Sequence, residues 1–304
     1  MRNRWIFASF LIVSAIPLAA ATQPERAPQA DLRAMTYNIR LDTPVDGDHQ
    51  WSARRAPLVS QIELVRPDII GFQEVLLNQR RDLEQALPRY ARIGGGRDDG
   101  NDLGEAAPLF IDKDRLAVGA SGLFWLSPTP LKSSKGWDAA YPRIAVWAQV
   151  RRLSDDAPLL VINTHLDNEG LEARLESARM LRSWISRHRR KGEAVVLLGD
   201  FNAGLGEDSL RALLDPEGNG PALVDSRAAS RTKPAGTSIT FNGFTPIPKV
   251  GETIDHIFVS KDVVVLRYHA LAEQFDGRVA SDHFPVVADL SLPSRTKPKT
   301  PPRR

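Results

Sequence analysis

Six short polar clusters interrupt otherwise apolar stretches of this chain. They are Thr36-Tyr37-Asn38, Gln73-Glu74, Asn163-Thr164-His165, Gly199-Asp200-Phe201-Asn202, Thr253-Ile254-Asp255-His256 and Ser281-Asp282-His283. Each supplies a carboxylate, an amide or an imidazole. Carboxylate and amide oxygens suit a hard divalent cation, and Asp with His suits proton transfer. Taken singly, each has an ordinary structural reading: Glu74 as a helix-capping acid, Asp200 to Asn202 as an Asx turn, His283 as a hydrogen-bonded core histidine. With at most one His per cluster and no His-Glu-x-x-His, a three-histidine zinc site is not indicated. A serine-esterase elbow (Gly-x-Ser-x-Gly) is absent, and Gly94-Gly95-Gly96 is not followed by the Gly-Lys-Ser/Thr of a phosphate loop. The chain has no cysteine, which removes thiolate ligands, Cys nucleophiles and disulfides.

The segments that must carry these clusters repeat an order. Arg33–Arg40 alternates like a strand, Arg54–Val65 has helical spacing through Leu58, Ile62 and Val65, and Ile69–Glu74 reads as a buried strand. Further on, Leu159–His165 is a strand, Leu171–Arg190 a helix ending before Gly192, and Ala194–Leu198 a second buried strand. Asn38 and Glu74 are 36 residues apart, and His165 and Asp200 are 35 apart. Two β-α-β halves whose strands end in polar residues imply a site along one edge of the sheets. Further short strands are expected at Ala107–Ile111, Leu116–Leu126, Ile144–Val150, Thr253–Ser260 and Phe284–Leu290. The stretch Gly94–Gly104 reads as a flexible loop, with a place beside the site as the alternative. Many short strands with few helices imply an α/β fold of two packed sheets flanked by helices, in one domain over residues 31–292.

The ends differ from this body. Arg2 and Arg4, the apolar run Trp5–Leu18 and Ala19-Ala20-Ala21 form a signal-peptide pattern over residues 1–21. The run is shorter than the ~20 residues of a spanning helix, so export to the periplasm or medium is expected, with no transmembrane segment after cleavage. Residues 22–30 read as a linker and 293–304 as a disordered basic tail. The 304 residues carry 40 basic and 37 acidic side chains. Setting aside Arg2, Arg4 and the five basic residues of the tail leaves 33 basic against 37 acidic, a body at −4. A large phosphate-binding surface is therefore not indicated, and Arg187–Lys191 reads as a solvated helix end.

The ordered set MTYNIR, GFQEV, NTHLD, LLGDFNA, IDHIF and SDHFPV resembles the endonuclease/exonuclease/phosphatase superfamily from about Arg33 to Leu292. GRDDG, GEAAPLF, GLFWLSPTP and PRIAVWAQV further resemble a bacterial branch of it. The resemblance implies a four-layer α/β sandwich and hydrolysis of phosphoesters by in-line attack of water. It implies Mg²⁺, with Mn²⁺ as an alternative, held by Glu74 with Asn38 beside it and Asp282 sharing the metal. Asp200 would orient or deprotonate the water, and Asn202 would hold the phosphate. His283, oriented by Asp255, would stabilise developing charge. His165 would contact phosphate or leaving group and pair with Glu105, and Arg143 would contact phosphate.

The resemblance leaves the substrate open. The charge balance favours a small or lipid-linked phosphodiester or phosphomonoester over nucleic acid, and a monomer is expected. A secreted endonuclease and a catalytically inactive binding module on the same fold are the alternatives. A membrane-surface sphingomyelinase would need an exposed apolar hairpin, for which the sequence offers no clear candidate. Trp51, Trp125, Trp137 and Tyr141 are candidate cleft aromatics, with a core role as the alternative for Trp125.

Overall fold

The structure is a computed structural model that describes residues 30–217 and 220–293. The leader over 1–21, the linker but for Ala30, and the tail from Ser294 lie outside the described residues. The elements run β1 (Leu32–Asn38), α1 (Trp51–Val65), β2 (Ile69–Gln73), α2 (Leu77–Ala86), β3 (Tyr90–Ile93), β4 (Leu109–Asp112), β5 (Leu116–Trp125), β6 (Ile144–Arg152) and β7 (Pro158–His165). They continue α3 (Leu171–His188), β8 (Ala194–Asp200), α4 (Asp208–Leu214), β9 (Leu223–Asp225), β10 (Ala235–Gly236), β11 (Asp255–Ser260), β12 (Val264–Ala270) and β13 (Val286–Ser291). One sheet has the order β10-β12-β13-β1-β2-β4-β3 and the other β5-β6-β7-β8-β11-β9. Among the described residues no helix is long and apolar enough to cross a membrane.

The four-layer sandwich expected from the sequence is present, and the side-chain alternation of the strands shows why. On β8, Val196 and Leu198 point between the sheets, where they meet Ala34, Ile69 and Leu109 of the facing sheet. Their neighbours Val195 and Leu197 point outward onto Leu181 and Ile185 of α3. On the other side Met35, Ile70 and Phe72 face Leu58 and Ile62 of α1. A strand buried on both faces needs a near-continuous apolar run, which is how β2 and β8 read up to their ends at Gln73 and Asp200. Each fully buried Leu, Ile or Val contributes roughly 1.5–3 kcal/mol of transfer free energy.

The two sheets approach closely just below the polar edge. A Cβ on Gly71 would lie 1.8 Å from Leu198 Cδ1 and 2.5 Å from Asn163 Oδ1, so only glycine fits there. Asn163 bolts the sheets together at this level. It donates to Phe72 O at 2.8 Å and Ala107 O at 2.9 Å, and accepts from Gln73 Nε2 at 2.8 Å.

The repeated halves are both parallel β-α-β units. Asn38 is in register with Gln73 on the first pair, and His165 with Asp200 on the second. The boundaries shift in detail. β2 stops at Gln73, because Glu74 turns into the left-handed region at φ 61°. The helix expected from Arg54 begins at Trp51, and α3 ends at His188.

Candidate active site

The polar strand ends converge on a cleft of about 550 Å³ along one edge of both sheets. Glu74, Glu105, Arg143, His165, Asp200, Asn202, Asp282 and His283 all line it. Asn38 and Asp255 lie directly beneath, each 1% exposed or less. Two of the turning points, Glu74 and Asn202 (φ 48°), have left-handed backbones. Such conformations cost of order 1–3 kcal/mol for non-glycine residues and concentrate at functional sites.

Asp200 is the centre of the network. Its Oδ2 accepts from Asn38 Nδ2 at 2.9 Å and lies 3.5 Å from His165 Nε2 and 3.8 Å from His283 Nε2. Its Oδ1 accepts the Asn202 N–H at 2.9 Å, so the Asx turn and the functional cluster are the same feature. Burial, followed by repulsion from Asp255, pushes the Asp200 carboxyl up to about 7. His283 donates from Nδ1 to Asp255 Oδ2 at 2.8 Å. Burial opposes its charge, but Asp255 and Asp200 overcome that and hold the imidazole pKa well above its ordinary value. His165 goes the other way: burial, then Arg143, hold it well below, so it is neutral and accepts from Asn202 Nδ2 at 3.1 Å. Two histidines that both face Asp200 are thus shifted in opposite directions.

Glu74 and Asp282 form the acidic end. Glu74 accepts from Asn38 Nδ2 at 3.0 Å and from the Leu41 N–H at 3.1 Å. The Arg40 guanidinium reaches both carboxylates at 3.9 Å while bound to Asp46 at 2.9 and 3.0 Å. Burial first, and Glu74 among its charged neighbours, raise the Asp282 pKa. Two oxygen-donor carboxylates that repel one another and share a cation fit a hard divalent ion. Asp200, Asp255 and His283 also bring one ligand atom each within 4.8 Å of the others. There, however, Asp255 and Asp200 favour a protonated His283, which has no lone pair to give a metal, so the Glu74–Asp282 end suits the ion better. Asn38 lies beside Glu74 as expected: its Nδ2 donates to the Glu74 and Asp200 carboxylates, and its Oδ1 accepts the Arg40 N–H at 3.0 Å. It bridges the two acids because a buried amide between acceptors must donate.

Two expectations are corrected. Glu105 does not pair with His165. It forms an ion pair with Arg97 at 2.8 Å, because the loop over 94–105 doubles back and sets the two side by side. Of the four candidate aromatics only Tyr141 lines the cleft. Trp51 and Trp125 are core residues, and Trp125 donates its indole N–H to Arg97 O at 2.7 Å. Arg143 is in the cleft as expected, held to Asp167 at 3.0 Å and Asn168 at 2.7 Å. His256 of the fifth cluster points away and is satisfied by Asp225 and Ala203 O.

The residue pattern alone does not single out Arg40, Phe241, Phe244 or Arg54. Arg54 is 2% exposed and donates to the carbonyls of Ile39, Arg40, His49 and Ala280. It thereby ties the end of β1 to the segment entering Asp282. A signal for it exists: Arg54 lies four residues before Leu58 and eight before Ile62, a charge on the core-facing stripe of α1.

Two mixed sheets with this polar edge define a phosphoesterase fold, and the chain belongs to the Endonuclease/Exonuclease/phosphatase family, whose model matches residues 35–283. A mannosyl-6-phosphatase of Bacteroides thetaiotaomicron VPI-5482 is 34% identical, with a TM-score of 0.81 over 86% of this chain and 100% of that one. A family protein of Bacteroides vulgatus is 38% identical, with a TM-score of 0.81 over 86% and 98%. TDP2 of D. rerio, complexed with a single strand DNA product, shares the fold at 18% identity and a TM-score of 0.67 over 86% and 99%.

Proposed function

We propose that this protein is a divalent-metal-dependent hydrolase of small phosphomonoesters, sugar phosphates in particular. The observation that carries this reading is the charge arrangement of the cleft. Arg40, Arg97 and Arg143 each have a carboxylate partner, in Asp46, Glu105 and Asp167. Such a cleft has room for one phosphate near the acidic end and offers no run of unpaired cations to a polyphosphate chain. The 34% identity to a mannosyl-6-phosphatase supports the same class. The intact acid–base network argues against an inactive binding module.

In this reading the water sits against Asp200, which with a pKa of about 7 takes its proton as it attacks phosphorus; the P–O bond to the sugar breaks opposite, and the leaving oxygen takes up a proton from solvent. Asn38 and Asn202 fix that carboxylate. The His283 imidazolium, held by Asp255, stabilises charge on the phosphoryl oxygens. Neutral His165 and the Arg143 guanidinium bind the remaining oxygens. Glu74 and Asp282 would hold the cation, which when bound supplies Lewis-acid polarisation of the phosphoryl group.

The test is phosphate release from hexose phosphates, phenyl phosphate, bis-p-nitrophenyl phosphate and plasmid DNA, with Mg²⁺, Mn²⁺ or EDTA. The expected result is EDTA-sensitive hydrolysis of monoesters, at least about 100-fold above the diester, a gap of about 2.7 kcal/mol in barrier. Preferred cleavage of DNA would overturn it in favour of the endonuclease. We also propose export with cleavage near Ala21, on the signal-peptide pattern; mass spectrometry of the protein from its host checks the mature N-terminus.

A further inference from the structure

The wall of the cleft built from Arg97, Glu105 and Tyr141 has no part in the chemistry above. It is nonetheless an assembled surface. In the loop over 94–105, Arg97 N donates to Glu105 O at 2.9 Å, Asp98 N to Leu103 O at 3.1 Å and Gly96 N to Asn101 O at 2.9 Å. This short ladder needs left-handed glycines at Gly94, Gly100 and Gly104. Arg97 O is fastened from behind by the Trp125 indole and by Ser133 Oγ at 3.2 Å. The Arg97 guanidinium then pairs with Glu105 and lies 4.5 Å over the Tyr141 ring. Tyr141 is held through its own N–H and that of Ala140, both donated to Asp167. The residue remains 46% exposed and lines the cleft. The expected flexible loop is thus a built wall.

The chemistry of the wall says what it reads. Arg97 and Glu105 neutralise one another, as do Arg143 and Asp167 beside them, so a second phosphate finds no net charge here. A guanidinium and a carboxylate side by side present a donor and an acceptor at hydrogen-bond spacing. Adjacent hydroxyls, each able to donate and accept, match that pair. The half-exposed Tyr141 beside it adds apolar ring surface for the C–H groups of a pyranose and a phenol hydroxyl for its oxygens. A volume of about 550 Å³ lies within the small-molecule range.

We infer that Tyr141, Arg97 and Glu105 form the subsite that recognises the sugar hydroxyls of the substrate and selects sugar monophosphates over aryl phosphates and bisphosphates. This rests on the proposed phosphomonoesterase activity, and the test separates the two. Values of kcat/KM for mannose 6-phosphate, glucose 6-phosphate, fructose 1,6-bisphosphate and phenyl phosphate are measured for wild type, Glu105→Gln and Tyr141→Ala. Each substitution is expected to lower the ratio of sugar phosphate to phenyl phosphate by about 10-fold or more, mainly through KM, since sites built around a substrate hydroxyl discriminate strongly on it. Equal losses on both substrates, or a wild type that prefers the bisphosphate, would overturn the subsite.

Binding of mannose 6-phosphate to Asp200→Asn protein, followed by calorimetry, tests the subsite without turnover. An affinity unchanged by adding Tyr141→Ala, a half-exposed position where folding is not at stake, would overturn the subsite. Affinity lost on that change, with no hydrolysis of any monoester by wild type, upholds the subsite and removes the hydrolase reading.

Discussion

Replacing Arg54 by methionine should destabilise the protein and loosen the acidic end of the cleft together. One guanidinium serves four carbonyls at 2.5–3.1 Å. Methionine has a similar length and no donor. The bonds to Ile39 O and Ala280 O are fully buried, whereas those to His49 O and Arg40 O are only partly so. Water can therefore replace two of the four. The two buried acceptors, left without partners, cost about 1–3 kcal/mol each. Relief of burying a cation without its own carboxylate offsets part of that. The net loss comes to roughly 3 kcal/mol, or about 6–12 °C in melting temperature at about 2–4 °C per kcal/mol for a chain of this size. Arg54→Lys keeps the charge, but its single ammonium has three donors and no fork, so it should fall between the two. Thermal melting of the three proteins gives the stability, and titration with Mn²⁺ gives the metal affinity. A melting point for Arg54→Met within about 2 °C of wild type would refute the reasoning.

Glu74→Gln removes one of the two carboxylates at the acidic end. It should weaken Mn²⁺ binding in calorimetry by about 10-fold or more (1.4 kcal/mol), with an unchanged circular dichroism spectrum; unaltered affinity would place the ion elsewhere. The Asp200 carboxyl, raised to about 7, is ionised only above that pH, so kcat/KM should fall as pH drops through about 7. Asp200→Asn should remove that limb and lower the rate by ~10²–10⁴-fold. The same shift has a stability consequence. A carboxyl whose folded pKa lies above its unfolded one opposes folding when ionised, fully so above pH 7, and Asp200→Asn should therefore stabilise more at pH 8 than at pH 5 in urea unfolding. Duplex DNA binding should show a log–log salt slope no steeper than about −3, the value for about three phosphate contacts. A slope near −6 would reveal a phosphate track that the paired arginines do not suggest.

Much of the site is legible in the residues because a parallel β-α-β unit puts the ends of both its strands on one edge. Asn38 with Glu74, and His165 with Asp200, are neighbours for that reason alone, and alternating apolar residues announce the strands. What escapes depends on distant geometry. Whether Glu105 meets His165 or Arg97 is decided by a loop whose glycines permit a turn that residue types alone do not specify. The opposite pKa shifts of His165 and His283 follow from burial, which lowers both, reinforced by Arg143 for the first and overcome by Asp255 and Asp200 for the second. Short β3, β9 and β10 and the helix α2 carry too little periodicity to stand out. Arg54 is visible only as a misplaced charge, and its four acceptors come from segments up to 226 residues away.

β1, the first strand among the described residues, has β13, the last of them, as one of its two neighbours. A chain emerging from the ribosome therefore carries an open edge at the middle of its larger sheet until residues 286–291 exist. Asp282 and His283 arrive only at the same late moment, so incomplete chains hold neither the cation end nor the imidazolium.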